Sequence, residues 1–229
     1  MKFSLIVPTL NEAPSISACL AALQPLRNRA EIIVVDGGSF DNTEILARKW
    51  ADRVVRSPKG RARQMNLGAK LATGDVLIFL HADTFLPPDA LDRIERQLET
   101  NGEWGRFDIQ LSGSHFMFKI IALLMNWRSR LTGIATGDQV LFVSKKAFVS
   151  AGGFPDIALM EDIALSKALK KISPPVCLKT KVVSSSRKWQ QDGIIRTILL
   201  MWSLRLQYFF GADPDVLARR YYGKSPSKR

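Results

Sequence analysis

The chain has 229 residues, of which 46% are apolar and 24% charged, and its 33 Lys+Arg against 21 Asp+Glu give a formal charge of +12. This excludes disordered, collagen-like and disulfide-scaffold classes, and the length is enough to bury a core without staples in one large domain. The only two cysteines, Cys19 and Cys177, fall in a predicted helix and a predicted strand, where they read as small buried apolar side chains in a reducing compartment.

Residues 3–7 form a short, nearly continuous apolar run, as do residues 31–36, and each is expected as a strand covered on both faces. The apolar opening is too short for a signal-peptide core, so a cytoplasmic location is expected. Between the strands, Pro14 suits a first helical turn and Ile16, Cys19, Leu20 and Leu23 follow at helical spacing, giving a β-α-β unit. Asp41 followed by Glu44 reads as a capping box opening a second helix with Ile45, Leu46 and Trp50 inward. A short strand at Val54 and Val55, a helix over 62–72 and a strand over 76–80 ending at His81 complete an alternation typical of a parallel α/β sheet.

Beyond position 100 the spacing predicts an edge strand at 107–111, a strand at 139–143, a helix over 161–172, an alternating strand at 176–183, a long apolar helix over 194–210 and a short helix over 214–222. No repeat or linker justifies a domain cut. A single domain is expected, with a nucleotide-binding half (1–100), an acceptor-shaping half (101–190) and a helical, basic carboxyl-terminal part (191–229).

No apolar stretch reaches the roughly 20 residues needed to span a bilayer. Residues 116–127 are interrupted by Lys119, and residues 194–210 by Arg196 and Arg205, which fall on opposite helical faces. After Asp215 the chain carries Arg219, Arg220, Lys224, Lys228 and Arg229 with no acid, while the other basic pairs are scattered. That distribution argues against a nucleic-acid stripe. The two apolar segments suit core or homodimer packing, and with the basic tail they also suit peripheral contact with an anionic cytoplasmic leaflet.

In an open parallel sheet, ligands bind at the carboxyl ends of the strands. The first predicted strand ends Pro8-Thr9-Leu10-Asn11-Glu12, the second Asp36-Gly37-Gly38-Ser39-Phe40-Asp41 and the fourth His81-Ala82-Asp83-Thr84. The first turn contains no glycine, so neither a dinucleotide fingerprint nor a P-loop is present. Asp36 suits an acceptor for a nucleobase N–H, or an Asx turn ahead of the glycines. Glu12 and the pair Glu161-Asp162 also read as acids favoured in a first helical turn.

These motifs, with Gly137-Asp138-Gln139, Gly152-Gly153-Phe154-Pro155, Met160-Glu161-Asp162 and Ser186-Arg187-Lys188-Trp189, resemble an inverting family 2 glycosyltransferase. Within that family they are similar to the bacterial radical-SAM/selenodomain-associated, or arsenosugar-biosynthesis, branch. The resemblance implies a GT-A fold and transfer of a sugar from a nucleotide donor, UDP-linked, to a small or lipid-linked hydroxyl acceptor. It implies a base and ribose pocket at Pro8, Thr9, Glu12 and Asp36, with Ala82 beside it. Arg61, Arg63 and Asn66 would lie near the diphosphate, although Met65 stands where many relatives carry arginine. Asp83 becomes the expected Mg²⁺ or Mn²⁺ ligand, bridging to the leaving diphosphate. His81 stands where the family's DxD pattern has its first aspartate, so it binds metal, touches ribose or hydrogen-bonds Asp83. Asp162, with Glu161, is implied as catalytic base, Asp138 and Gln139 as acceptor-orienting groups, and Arg187 and Trp189 as a cover over the diphosphate and sugar. The rival readings are a sugar nucleotidyltransferase and a non-catalytic basic protein of membrane surfaces or nucleic acids.

Overall fold

β1 (Phe3–Thr9) and β2 (Ala30–Asp36) pair in parallel, with Phe3 opposite Ala30 and Thr9 opposite Asp36. The chain is described here by a computed structural model, which covers residues 1–100 and 102–223. Side chains alternate across the two strands as strand geometry requires. Phe3, Leu5, Val7, Ile32 and Val34 face one layer, where they meet Ile16, Leu20 and Leu23 of α1 (Ala13–Leu23). Ile6, Ile33 and Val35 face the other, against Ala62, Met65 and Ala69 of α3 (Arg61–Leu71). Gly68 allows that helix to lie close, since a Cβ there would stand 2.4 Å from Ile6 Cγ2. α2 (Thr43–Arg48), β3 (Arg53–Arg56) and β4 (Val76–Phe79) complete the parallel part, β3 beside β2 and β4 beside β1.

β5 (Thr84–Phe85), α4 (Ala90–Thr100), β6 (Trp104–Leu111) and α5 (Phe116–Thr132) follow, then a 3-10 turn at Gly137–Gln139, β7 (Leu141–Ser144), α6 (Lys145–Ser150) and α7 (Glu161–Leu169). The chain continues through β8 (Val176–Ser184), α8 (Arg187–Asp192), α9 (Ile194–Phe209) and α10 (Pro214–Tyr222). One eight-stranded sheet in the order β3-β2-β1-β4-β7-β6-β8-β5 runs through both halves, with β7 and β5 antiparallel to their neighbours. This mostly parallel, helix-flanked sheet is the expected α/β arrangement of GT-A type.

Several local expectations change. The strand expected at an edge is internal, because β6 lies between β7 and β8 and buries Phe107, Ile109 and Leu111. Gln139 does not enter a strand: it closes a capping box with Thr136, and Val140 then takes φ +53 before β7 begins. The helix expected over 161–172 stops at Leu169. Asp41 makes no capping box with Glu44. Its oxygens accept from the Thr43 and Ala13 amides (3.0 and 3.1 Å), while Glu44 pairs with Arg48 and Arg56, and Ile45 is 71% exposed. Both cysteines are free thiols; Cys19 is buried, and burial pushes it up to about 12, whereas Cys177 is only half-buried. No helix among the described residues is long and apolar enough to cross a membrane. Lys224, Lys228 and Arg229 of the basic tail lie outside the described residues.

Candidate active site

A cleft of about 1100 Å³ opens at the carboxyl ends of β1 and β4. Pro8, Thr9, Glu12, Ala82 and Asp83 line its floor, and α5, α8, α9 and α10 supply its far walls. Thr9 reaches the cleft, while Asp36 stands behind it. Asp36 Oδ1 accepts from the Thr9 and Ser39 hydroxyls, and Oδ2 from the Gly38 and Ser39 amides at 2.9 and 2.8 Å. The carboxylate thus has the turn-forming geometry, and a nucleobase N–H would reach it by replacing a hydroxyl donor. Gln64 Nε2 donates to the carbonyls of Thr9 and Val35, both at 2.8 Å, tying the ends of β1 and β2 together beneath the cleft.

Arg187, at the start of α8, bridges the floor. Its Nη2 lies 2.9 Å from Glu12 Oε2 and 3.7 Å from Asp83 Oδ2. Glu12 does not cap α1; it also accepts from Ser15 at 2.7 Å. Burial pushes the Asp83 carboxyl up, and the nearby Glu12 charge adds to this. His81 hydrogen-bonds neither Asp83 nor any strand carbonyl through its ring. Its Nδ1 lies 3.2 Å from Asp138 Oδ1, and its ring also meets Arg61, whose Nε is 3.9 Å from Glu161 Oε1. A Cβ on Gly137 would stand 2.4 Å from His81 Nε2, so only glycine leaves room for this imidazole. Burial opposes the Asp138 charge, but the His81 hydrogen bond and Arg61 outweigh it and hold the carboxyl below the usual range.

Met160 adopts left-handed backbone, φ +71, immediately before α7. This strained turn sets Glu161 and Asp162 on a small pocket that shares Pro8, Arg61 and His81 with the main cleft. Asp162 Oδ2 accepts from the Gly137 amide at 3.0 Å and Oδ1 from the Ile163 amide at 2.7 Å. Burial raises both carboxyls of the pair, and for Glu161 the Asp162 charge adds to the effect.

The cleft therefore gathers Asp83, His81, Arg61, Asp138, Arg187 and Trp189, with Arg63 at its margin paired to Asp156 at 2.9 Å. Trp189 also packs on the small cluster of Ile109, Leu111 and Phe118. Asn66 and Gln139 are turned to structural work. Asn66 Nδ2 donates to the Phe154 carbonyl at 2.7 Å and its Oδ1 accepts from the Phe154 amide at 3.0 Å, while Gln139 is fully buried against Thr136 and Asn126. Asn66→Ala is expected to cost about 2 kcal/mol in denaturant unfolding, because it strands two backbone groups. Affinity for UDP, the nucleotide that the family resemblance implies, should change less than about twofold by calorimetry; a larger loss would return Asn66 to the expected donor site.

Residues that spacing alone did not single out also face the cleft. Arg128 ends a stripe on α5 that includes Ile121, Leu124 and Met125, and Tyr221 and Tyr222 reach in from α10, with Lys188 Nζ 4.0 Å above the Tyr221 ring. The stripe has helical spacing, but its direction depends on how α5 packs. No motif marks the tyrosines. As a donor set for a divalent ion, the floor offers the Asp83 carboxylate, and the described residues hold no group of three or more His, Cys, Asp or Glu placed to hold a metal ion together. A carboxylate oxygen is a donor that fits a hard ion such as Mg²⁺ or Mn²⁺.

The sequence model of "Glycosyl transferase family 2" matches residues 4–148, which carry β1 through β7 and the whole cleft floor. The chain belongs to glycosyl transferase family 2. Among family 2 relatives, a "PGL/p-HBAD biosynthesis glycosyltransferase" of Mycobacterium tuberculosis is 39% identical over 101 residues, covering 40% of each chain. The chain thus spans about two fifths of the length of the curated relatives it first matches. In fold it is similar to Staphylococcus aureus TarS solved with UDP (TM-score 0.66, 20% identity, covering 81% of this chain and 60% of that one). It is likewise similar to the mannosyltransferase PcManGT of Pyrobaculum calidifontis, solved with GDP-Man and Mn²⁺ (TM-score 0.61, 24% identity, covering 80% and 56%).

Proposed function

We propose that the chain transfers a sugar, with inversion at the anomeric carbon, from a nucleotide diphosphate donor, UDP-linked, to a hydroxyl of a small or lipid-linked acceptor. The observation that carries this is the placement of Asp83 and Asp162. One stands on the cleft floor beside Glu12 and Arg187, and the other in an adjoining pocket reached past Arg61 and His81. TarS with UDP and PcManGT with GDP-Man and Mn²⁺ support a nucleotide-sugar donor. The Gly152-Gly153-Phe154-Pro155 and Ser186-Arg187-Lys188-Trp189 motifs support the arsenosugar-type branch within the family. The chain acts as one domain, its first hundred residues holding the donor and the remainder shaping the acceptor side.

In this reading Thr9 and Pro8 line the base and ribose site and Asp36 receives the base N–H. Arg61 and Arg63 face the diphosphate, Arg63 by leaving Asp156. Asp83 would hold Mg²⁺ or Mn²⁺, which when bound would supply neutralisation of the charge developing on the leaving group. Asp162 takes the acceptor hydroxyl proton as that oxygen forms its bond to the anomeric carbon and the bond to the diphosphate breaks, the nucleotide leaving with the electron pair. His81 holds Asp138 toward the acceptor side, and Arg187 and Trp189 cover the donor.

The experiment is a nucleotide-sugar screen read by UDP release and product mass. A transferase releases UDP in the presence of acceptor. Pyrophosphate from nucleoside triphosphate and sugar phosphate would establish the nucleotidyltransferase rival, and no release of either would sink both. Because burial raises Asp162, the base keeps its proton to higher pH than a free aspartate. Transfer is therefore expected to fall on acidification through a pKa above the ordinary carboxylate range, with Glu161, Asp138, Arg61 and Arg128 as the charges around it. A rate-against-pH profile flat down to the unperturbed aspartate range would remove Asp162 as base.

We further propose that α5 and α9 seat the protein on an anionic cytoplasmic leaflet. Their exposed faces carry Leu123, Leu199 and Phe209, 67%, 63% and 76% exposed, on a chain with net charge +12. Co-sedimentation with anionic vesicles that salt does not reverse, or no binding at all, would dispose of this; a concentration-dependent homodimer would reassign the face.

A further inference from the structure

Among the described residues, the buried side-chain polar atoms without a hydrogen-bond partner are Ser173 Oγ and two nitrogens of one guanidinium, Arg128 Nε and Nη2. A shielded hydroxyl is a small defect, whereas a shielded cationic fork without an acceptor is costly. The fold does satisfy a buried arginine nearby. Arg106 donates through Nε to Ser129 Oγ at 3.0 Å, through Nη1 to the Phe107 carbonyl at 3.2 Å and to Asp108, and through Nη2 to the Asn126 carbonyl at 3.1 Å. Arg128 receives nothing comparable, although it projects from α5, the helix whose Ser129 and Asn126 serve Arg106, and lines the cleft.

Its setting indicates what is missing. Nε and Nη2 form the side-on edge of a guanidinium, the edge that grips a carboxylate or phosphate through two parallel hydrogen bonds. Arg128 lies on the α5 face that also presents Ile121, Leu124 and Met125 to the cleft, which Ile198, Met201 and Trp202 of α9 line as well. The donor's diphosphate is accounted for elsewhere, at Asp83, Arg61, Arg63 and Arg187. Burial works against the Arg128 charge, and Asp162 is the strongest of the opposite charges acting on it. Any anion brought to this point would be repelled by Asp162 and Asp138 unless the guanidinium neutralised it.

We propose that Arg128 receives a phosphate or carboxylate carried by the acceptor, whose apolar remainder lies between the α5 and α9 faces. This rests on reading the cleft beside Asp162 as the acceptor site. The acceptor is then an amphipathic anion, and Arg128 fixes its polar end so that a hydroxyl comes within reach of the base.

The test is calorimetric titration of the full chain with octyl phosphate, octanoate and neutral octyl glucoside, each below its micellar concentration. Wild type is expected to bind at least one of the two anions about tenfold or more tighter than the glucoside. A preference for octyl phosphate assigns a phosphorylated acceptor, and one for octanoate a carboxylated acceptor. In Arg128→Gln the preference should collapse to within about twofold. Arg128→Lys, which keeps the charge but loses the fork, should bind the preferred anion several-fold more weakly. It decides the matter if the glutamine variant does not fold. Equal wild-type affinity for all three probes, or an anion preference unchanged in both variants, would overturn the proposal. UDP binding with Mn²⁺, measured on the same wild-type protein, reports on the donor reading separately: its absence would count against that reading while leaving the alkyl-anion result standing.

Discussion

Asp162→Asn is expected to slow acceptor-dependent sugar transfer by about 10²–10⁴-fold while UDP affinity stays within about twofold. The substitution keeps the shape of the side chain, and the amide oxygen can still accept from the Gly137 or Ile163 amide, so the start of α7 and the loop at Gly137 remain in place. What it removes is the ability to take a proton. UDP contacts Thr9, Asp36 and the arginines in the proposed arrangement, none of which hydrogen-bonds Asp162. Steady-state transfer and equilibrium UDP titration on the same preparation separate the two effects. Equal loss in both would show that Asp162 shapes the donor site instead.

Asp83→Ala should abolish the part of UDP affinity that depends on Mg²⁺ or Mn²⁺ and lower transfer by about 10²–10³-fold, since the floor of the cleft then lacks its carboxylate for the ion. Residual affinity should match that of wild type in chelator. Asp36→Ala should behave differently, weakening UDP with and without the ion, because its partners are Thr9 and the Gly38-Ser39 turn rather than the diphosphate. Titrations of both variants with and without Mn²⁺ give four numbers that fix the assignment. If neither variant changes UDP affinity, the donor site has been placed wrongly.

The parallel half of the sheet was legible because β1, β2 and β4 are buried on both faces and read as continuous apolar runs, a signal that periodicity carries directly. β6 was harder, since an alternating run looks the same at an edge as inside a sheet whose second face is closed by a distant helix. Gln139 looked like the first residue of a strand. Its place was decided by the Thr136 capping box and the positive φ of Val140, neither of which leaves a trace in hydrophobic spacing. Gln64 follows Arg63 and Asn66 follows Met65 in a helix near the cleft, and spacing could not show that Asn66 clamps Phe154 and Gln64 two strand ends. Arg128 was legible only as a charge ending an apolar stripe. Its meaning depends on α9 folding back across α5, which is a long-range event.

The Arg187 bridge bears on the order of events when a donor arrives. Glu12 and Asp83 are already counterbalanced by a guanidinium, so in the proposed arrangement Asp83 would hold a divalent ion only by giving up part of its contact with Arg187. Arg187 carries its charge on the first turn of a six-residue helix, α8, and lies two residues before Trp189. In the proposed arrangement, seating the donor would free the Arg187 guanidinium for the incoming phosphates and so would couple arrival of the nucleotide to the position of α8.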